Sequence, residues 1–415
     1  MLLSNNSNKI LIFFLLYLSL LVGFYLNENS SGGAYPDFLM RKDLIENFRI
    51  NFLNTFLNYD DYEERHSPIF IMILTFLYFL LNDLDMVRLL HLNLLPLLIF
   101  ISYRCLILKF PNNDKNIIFL ICCVFFLSPS LRSIAIWPDS RISGLVLFLY
   151  SIYFFLKYIK NHNFKDCILN NIFLIFSAYL SPNFSLFFLY FFFYYFKQFG
   201  LSKKLINLIL INFIASLPML YYLFILDVNF LSIDAVDDIN ILNRLNPFNK
   251  ILIISSLIFF YMMPFAIYWL QINKGLKDFK IKYVFQSTII LFTFAYFFNY
   301  LTNYTGGGIF FRLSYFLFDN SYLFLVITFL SILFILNVFK LNFNNFFLFF
   351  ILVVSNPQLT IYHKYYDPLL ILMFFLFFQF NFSKEKFLNK SFLPNIYIFY
   401  SVLLVLNFGR SFFNY

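Results

Sequence analysis

Long apolar runs recur along the whole chain, and short polar clusters separate them. A helix that crosses a bilayer needs about 20 mostly apolar residues, or fewer when flanking side chains reach the interface. About thirteen runs have this character: Ile10–Leu26, Val87–Leu108, Asn116–Ser128, Ile142–Tyr158, Ile168–Leu180, Asn183–Phe196, Leu205–Leu226, Ile251–Leu270, Tyr283–Leu301, Tyr322–Phe339, Asn345–Val354, Pro368–Phe380 and Phe392–Phe408. The pattern predicts an all-α polytopic membrane protein in which residues 1–415 form a single transmembrane domain, with no separate soluble domain.

The run Pro68–Leu81 has a length typical of re-entrant or interfacial segments. We predict such a segment over residues 68–82 and a cytoplasmic N-terminus. Most lysines then fall in cytoplasmic loops and most carboxylates in outer loops, as the positive-inside rule requires. A full span here would move every later loop to the other side and place the excess of basic residues outside. The loop charges therefore favour the re-entrant interpretation.

The membrane topology alone accounts for the positive net charge, without a nucleic acid partner. The chain is 61% hydrophobic and 12% charged, with a net charge of +9, and a soluble domain would carry about twice that share of charged residues. Because the basic excess lies in the predicted cytoplasmic loops, we expect no nucleic acid partner. His66 and His363 are the histidines of the predicted outer loops and have no His or Cys partner at ligand spacing, so no metal site and no certain cofactor is predicted.

Lysine and arginine separate by side in this topology. The cytoplasmic loops carry lysine, whereas all arginines except Arg104 fall on the outer side: Arg41, Arg49, Arg65, Arg88, Arg132, Arg141, Arg244, Arg312 and Arg410. The planar guanidinium group binds phosphate and carboxylate through paired hydrogen bonds. The arginines are therefore candidates for binding an anionic ligand, and pairing with the outer carboxylates is the alternative.

The first outer loop, residues 27–67, combines a helical pattern with a carboxylate. Five apolar residues recur at helical spacing: Phe38, Ile45, Phe48, Phe52 and Phe56. Pro36 suits the first turn of a helix, so we predict an amphipathic helix in the plane of the interface with Asp37 at its start. Asp37 could be the general base that a transfer to a hydroxyl or amine requires. It could equally cap the helix, and the two roles are compatible.

The second outer loop carries Arg132 between two prolines, and Asp139 and Arg141 just after the second proline. Pro129 and Pro138 are expected to end and restart helices there. Asp139 and Arg141 could form a salt bridge at a helix start. A carboxylate beside two guanidinium groups could instead orient a phosphate leaving group or tune a neighbouring acid, which makes Asp139 a second catalytic candidate.

Two later outer loops also carry candidate groups. Residues 306–308 are consecutive glycines followed by Arg312. They permit close approach of the backbone and an anion-binding set of amides, or a flexible hinge. The last loop places His363, Lys364 and Tyr365 at the head of a predicted span, where Lys and Tyr are also ordinary interface anchors.

This arrangement resembles the GT-C superfamily of membrane glycosyltransferases, and most closely the protein O-mannosyltransferase and lipid A aminoarabinose transferase type. The matching elements are the Asp37 region, the His66–Pro68 segment, Ser128 and Pro129 with Arg132 and Arg141, and the Lys364–Pro368 segment. The likeness covers most of the chain as architecture, through short motifs. Ser67 stands where the resemblance has the first proline, and the Asp-Glu pair of the first loop is missing at Asp37.

The resemblance implies a transferase that inverts a sugar carried by a polyprenyl phosphate and passes it to an extracytoplasmic glycan, lipid or protein. Asp37 would be the base. Arg132, Arg141, Arg312, Lys364 and Tyr365 would bind the donor phosphate, and His66 and His363 would position the acceptor or a loop. The expected location is the bacterial inner membrane, in contact with its lipids, with the active face outside.

Other membrane functions stay open at this point. A polymerase or ligase for lipid-linked polysaccharides would share the donor and the interfacial arginines. A flippase or transporter should carry charged groups near mid-membrane or an internal repeat. The predicted spans are nearly free of charge and show no repeat, which favours chemistry at the interface.

Overall fold

The computed structural model describes residues 6–31, 33–62, 67–226, 246–273, 280–356, 358 and 360–413. All regular elements in these residues are helices, apart from an isolated bridge between Phe339 and Phe380. The prediction of an all-α protein is confirmed for the described chain.

The chain forms two compact units. Unit 1 comprises Met1–Ala235 and Tyr400–Tyr415, and unit 2 comprises Val236–Phe399. The helices of unit 1 are α1 (Asn6–Tyr25), α2 (Ala34–Ile50), α3 (Phe52–Leu57), α4 (Ile69–Leu81), α5 (Leu84–Leu92), α6 (Leu94–Lys109), α7 (Lys115–Cys123), α8 (Pro129–Ile136), α9 (Ser140–Asn161), α10 (Phe164–Leu180), α11 (Phe187–Phe199) and α12 (Lys203–Phe224). The prediction of a single transmembrane domain stays a prediction.

Unit 2 is built from shorter helices around one long one. Its helices are α13 (Pro247–Asn273), α14 (Ile281–Tyr296), α15 (Ile309–Phe318), α16 (Tyr322–Val338), α17 (Phe343–Val354) and α18 (Leu369–Leu376). The last helix, α19 (Leu393–Phe413), has residues in both units.

Five described helical segments are long and apolar enough to cross a membrane: Asn8–Tyr25, Leu84–Lys109, Ser140–Asn161, Lys203–Phe224 and Pro247–Ile272. A bent pair, Lys115–Leu127 with Pro129–Ile136, would make a sixth span. The helices of the described residues are therefore compatible, in length and composition, with an integral membrane protein. The thirteen spans, their orientation and the GT-C arrangement stay predictions.

The bent pair shows how the second outer loop redirects the chain. Its two parts meet at an angle of 67°. The Ser128 side chain accepts a hydrogen bond from the Leu131 amide at 3.1 Å and so caps α8, with Pro129 in the first turn. Proline has no amide hydrogen to continue the preceding helix. Pro129 therefore restarts a helix as predicted, and Pro138 precedes the start of α9.

The amphipathic helix of the first outer loop is present but shorter than its pattern. Phe38, Ile45 and Phe48 are buried on one face of α2. The helix then ends, because the Asn51 side chain caps a new helix, α3, by accepting from the Asn54 amide. The Phe52 side chain is consequently 47% exposed. The buried face of the helix follows the predicted spacing as far as Phe48, and its place in the plane of the interface stays a prediction.

The predicted re-entrant segment forms α4, a helix of 13 residues. At about 1.5 Å per residue it is roughly 20 Å long, which is less than the hydrocarbon core of about 30 Å. The apolar face of α2 packs on α4, where Leu44 and Ile45 share one buried cluster with Ile71 and Leu74. The first outer loop and the short helix thus form one packed element, and re-entry into the membrane stays a prediction.

Candidate functional site

Trp137 joins the first outer loop to the second. Its ring lies 4.6 Å from the Tyr35 ring and 5.8 Å from the Phe38 ring, measured between centroids. The indole Nε1 donates a hydrogen bond to the Glu28 carbonyl at 2.9 Å. The Arg88 guanidinium lies 3.8 Å from the centre of the Trp137 ring, a cation–π contact. The start of α2, which carries Asp37, is therefore fixed against the segment that leads to Asp139.

Asp139 lies between two arginines that come from different loops. Its carboxylate is buried and caps α9 by accepting from the Arg141 amide at 2.9 Å. Arg141 Nη1 also donates to Asp139 Oδ2 at 3.1 Å. Arg41 Nη1 of α2 lies 3.7 Å from the same oxygen. The salt bridge considered from the sequence is present, and Arg41 adds a guanidinium that the sequence did not assign to this site.

Asp37 lies one helical turn before Arg41, in the first turn of α2. Its side chain is half-buried. The residue before the helix is Gly33, and no side chain caps this helix start. A carboxylate in the first turn is favoured there by the helix dipole, so Asp37 stabilises the helix without being its cap residue. Its role as a base stays a prediction.

Arg132 is engaged inside unit 1. Its Nε donates to Glu28 Oε1 at 2.8 Å, and Nη2 pairs with the same carboxylate. Nη1 donates to the Ser19 hydroxyl at 3.1 Å and to the Phe126 carbonyl at 3.2 Å. This buried guanidinium connects α1, the first loop and α8. Phosphate binding by Arg132 stays a prediction, and it would require Arg132 to give up its hydrogen bonds to Glu28.

His91 was missed by the sequence analysis, which placed it inside the predicted span Val87–Leu108. The ring lies on α5 and is 5% exposed. Nδ1 is 3.1 Å from the Ala135 carbonyl, and the ring meets Phe70 edge-on at 5.9 Å. Among the described residues, Nε2 is buried without a hydrogen-bond partner. An ionisable residue within an apolar run is the signal that could have identified it.

The glycine turn of unit 2 is packed against the last outer loop. Gly306, Gly307 and Gly308 have φ values of 81°, 85° and 81°, and the Gly307 amide donates to the Ile361 carbonyl at 3.0 Å. Arg312 Nε donates to the Gly306 carbonyl at 2.7 Å, and Nη1 donates to the Thr302 carbonyl at 2.7 Å. Hydrogen bonds to backbone carbonyls thus hold the turn in place. Its predicted part in anion binding, and that of Arg312, stay predictions.

The last outer loop places its candidates close to aromatic rings. His363 Nδ1 lies 2.9 Å from the Tyr261 hydroxyl, and burial lowers the pKa of His363 to about 4, so the ring is uncharged at neutral pH. Lys364 Nζ lies 5.3 Å from the centre of the Tyr362 ring. The Tyr365 hydroxyl donates to Gln358 Oε1 at 3.0 Å. His66, the other predicted histidine, lies outside the described residues.

Lys250 is a second group that the sequence analysis missed. It lies in the first turn of α13 and is 4% exposed. Its ammonium donates to the Asn356 carbonyl, and among the described residues no carboxylate pairs with it. The Asn356 side-chain oxygen is also buried without a hydrogen-bond partner in the described chain. The apolar pattern had been taken to begin at Ile251, one residue too late to include this lysine.

The predicted residues therefore fall into two sets. Unit 1 contains Asp37, Arg132, Asp139 and Arg141, and unit 2 contains Arg312, His363, Lys364 and Tyr365. In the part of the chain that the structure describes, no group of three or more His, Cys, Asp and Glu side chains could hold a metal ion. Comparisons of the chain with protein-family models, curated proteins and solved structures found no match.

Proposed function

We propose that this protein is a membrane glycosyltransferase of the GT-C type, which moves a sugar from a polyprenyl-phosphate-linked donor to an extracytoplasmic acceptor. The observation that carries the proposal is the position of Asp139 between Arg41 and Arg141. This contact joins the first outer loop, which carries the candidate base, to the second outer loop, which carries candidate phosphate-binding groups. It also brings guanidinium groups, which bind phosphate well, near the helix turn that carries Asp37.

The reaction needs one group to receive a proton and others to stabilise a departing phosphate. An acceptor hydroxyl attacks the anomeric carbon of the donor sugar, and the bond from that carbon to the phosphate oxygen breaks. The electron pair leaves with the polyprenyl phosphate. The hydroxyl proton passes to the Asp37 carboxylate, the proposed base. Arg41 and Arg141 would stabilise the negative charge of the leaving phosphate.

The remaining candidates complete the proposal. Donor binding by Arg312, Lys364 and Tyr365 stays a prediction from the sequence, as does positioning of the acceptor or a loop by His66 and His363. Since Arg132 is held by Glu28, its contribution in this scheme is to fix the loop that ends at Asp139. The site would face the extracytoplasmic side of a bacterial inner membrane, and the donor would reach it through the surrounding lipids.

Two groups favour a second candidate, a flippase or transporter of lipid-linked glycans. His91 and Lys250 are ionisable side chains buried inside segments long enough to span a membrane, and such groups often mark a substrate path. Proteoliposomes containing a fluorescent polyprenyl-phosphate sugar separate the candidates. Movement of the lipid between leaflets without a glycosylated product would favour the transporter. A polymerase or ligase would give a product that extends an existing glycan.

The proposal is tested by the substitution Asp37→Asn. Membranes that contain the protein and mannosyl or arabinosyl polyprenyl phosphate should form a glycosylated product. We expect Asp37→Asn to lower the rate by about 100-fold or more, because the amide cannot accept the proton. Asp43→Asn is the matched control, since Asp43 is an exposed residue of the same helix.

One outcome would reject only Asp37 as the base, and another would reject the proposed function. Full transfer by Asp37→Asn, at equal protein level, would remove Asp37 as the base and leave the function standing. Absence of transfer by the unchanged protein, together with absence of polyprenyl-phosphate lipids from the purified protein by mass spectrometry, would contradict the function itself.

A further inference from the structure

Two short turns of unit 1, one between α9 and α10 and one between α11 and α12, carry most of the lysines of this unit. We infer that they form one surface, the lysine surface, which binds the headgroups of anionic phospholipids. The inference goes beyond the proposed function and does not rest on it. The lysines of the two turns and their flanking helix ends are Lys157, Lys160, Lys165, Lys197, Lys203 and Lys204.

Phe199 brings the two turns together. Its ring lies at the end of α11, 5.9 Å from the Tyr158 ring of α9 and 5.9 Å from the Phe164 ring of α10. Tyr195, one helical turn earlier on α11, stacks on Phe199 at 6.0 Å and meets Tyr158 edge-on at 5.5 Å. These ring contacts hold the turns side by side. The lysines of both turns therefore lie at the same end of the four helices, which the sequence alone does not show.

The lysine surface has little negative charge of its own. Asp166 is the only acidic residue between positions 140 and 226. Its side chain is 2% exposed and pairs with Lys157 Nζ at 3.1 Å, whereas the other five lysines are exposed. Six lysines and one aspartate give the two turns a net charge of +5. Because like charges held close together repel one another, an anionic partner would stabilise this arrangement.

The place of the lysines on the helices favours lipid as that partner. Ser140–Asn161 and Lys203–Phe224 are two of the segments long enough to cross a membrane, and lysines at the ends of such segments reach the level of the headgroups. Leu201, in the turn between Lys197 and Lys203, is 88% exposed. A membrane surface accommodates both kinds of side chain, because the leucine enters the acyl boundary while the ammonium groups meet phosphate. The partner is therefore an anionic phospholipid rather than a soluble acidic protein.

The test measures which lipid adjoins position 201. Protein carrying Trp269→Phe and Leu201→Trp is reconstituted into vesicles of brominated phosphatidylcholine mixed with unbrominated phosphatidylglycerol. Brominated chains quench the fluorescence of a tryptophan that they contact. The remaining native tryptophan, Trp137, is buried, and its signal is subtracted with protein that keeps Leu201. We expect phosphatidylglycerol to be preferred by about tenfold in about 0.1 M salt, and the preference to approach parity in about 1 M salt.

Substitutions in each turn test whether the two turns act as one surface. The triple variant Lys197→Gln, Lys203→Gln and Lys204→Gln should lower the preference to about twofold or less. The double variant Lys160→Gln and Lys165→Gln changes only the other turn. It should also lower the preference at position 201, because the two turns lie side by side. Helical circular dichroism checks that each variant is folded.

A matched control removes the same charge elsewhere. Lys280, Lys282 and Lys340 are exposed lysines of unit 2, and their triple replacement by glutamine should leave the preference unchanged. Equal quenching whatever the lipid charge would overturn the inference. A preference that survives the triple variant of the α11–α12 turn would overturn it too, as would an equal loss in the unit 2 control. No effect of the double variant would reject the single surface.

Discussion

The Arg132 side chain connects three parts of unit 1 through a single guanidinium group. Its side chain and that of Glu28 are 4% and 1% exposed. Removing one partner of a buried ion pair leaves an uncompensated charge, which costs about 3–5 kcal/mol. The contact is therefore critical for the stability of the first loop against α8.

We predict that Glu28→Gln lowers the free energy of unfolding by about 3–5 kcal/mol, measured by denaturant unfolding in detergent. Asp85→Asn is the control. Asp85 pairs with Arg88 but is 73% exposed, so its loss should cost less than about 1 kcal/mol. The double variant Glu28→Gln with Arg132→Met should be more stable than Glu28→Gln alone. A small and equal effect of Glu28→Gln and Asp85→Asn would contradict this account.

At the scale of elements, the last outer loop lies so close to the glycine turn that no side chain fits at Gly306. A Cβ atom at Gly306 would lie 2.6 Å from the Ile361 carbonyl oxygen, closer than such atoms can approach. The turn therefore depends on glycine for space as well as for its backbone angles. Arg312 then closes the turn from the other side through the Gly306 carbonyl.

We predict that Gly306→Ala destabilises unit 2 and displaces the Ile361 segment. Gly200 provides a matched control because its φ is also positive, at 56°, but a Cβ there meets nothing within 4 Å. Gly200→Ala should cost about 1–3 kcal/mol from backbone strain, because a positive φ with a ψ of −155° is adopted almost only by glycine. The Gly306 variant should cost clearly more, and hydrogen exchange should increase in residues 360–366. Equal costs for both variants would show that the close approach to Ile361 does not matter.

Local elements were predictable where the sequence contains their own stop and start signals. Pro129 restarts a helix as expected, and the buried face of α2 follows its periodicity. The end of α2 at Asn51 was not predictable from that periodicity, because the asparagine acts through its own side-chain cap. His91 and Lys250 were missed, and Arg41 was not assigned to Asp139, because these contacts join residues that are distant in sequence, such as Ala135, Asp139 and Asn356. Spacing along one helix carries no information about those contacts.

At the scale of the whole molecule, the side of each loop depends on α4. If α4 is re-entrant, the loop after α9 is cytoplasmic, and if α4 spans the membrane, that loop is outside. Every later candidate residue changes side with it. The proposed site needs the first of these arrangements.

We predict that a cysteine at position 161 reacts with an impermeant maleimide only after the cells are permeabilised. Asn161 and Asp43 are both exposed, and Asp43→Cys should react in intact cells under either arrangement. The four native cysteines are buried, so the background should be low. Labelling of Asn161→Cys in intact cells would contradict the proposed arrangement and would separate the later candidates from Asp37.

The Glu28–Arg132 contact also bears on the order in which the chain can be completed during synthesis. The two residues are 104 positions apart, so α1 and the first loop are made long before their partner leaves the ribosome. Until then the Glu28 carboxylate must stay hydrated, since an isolated charge is poorly tolerated in an apolar environment. The first loop can therefore dock only after α8 has been delivered. A chain interrupted before Arg132 would leave the Glu28 carboxylate, just after α1, without the guanidinium group that neutralises it.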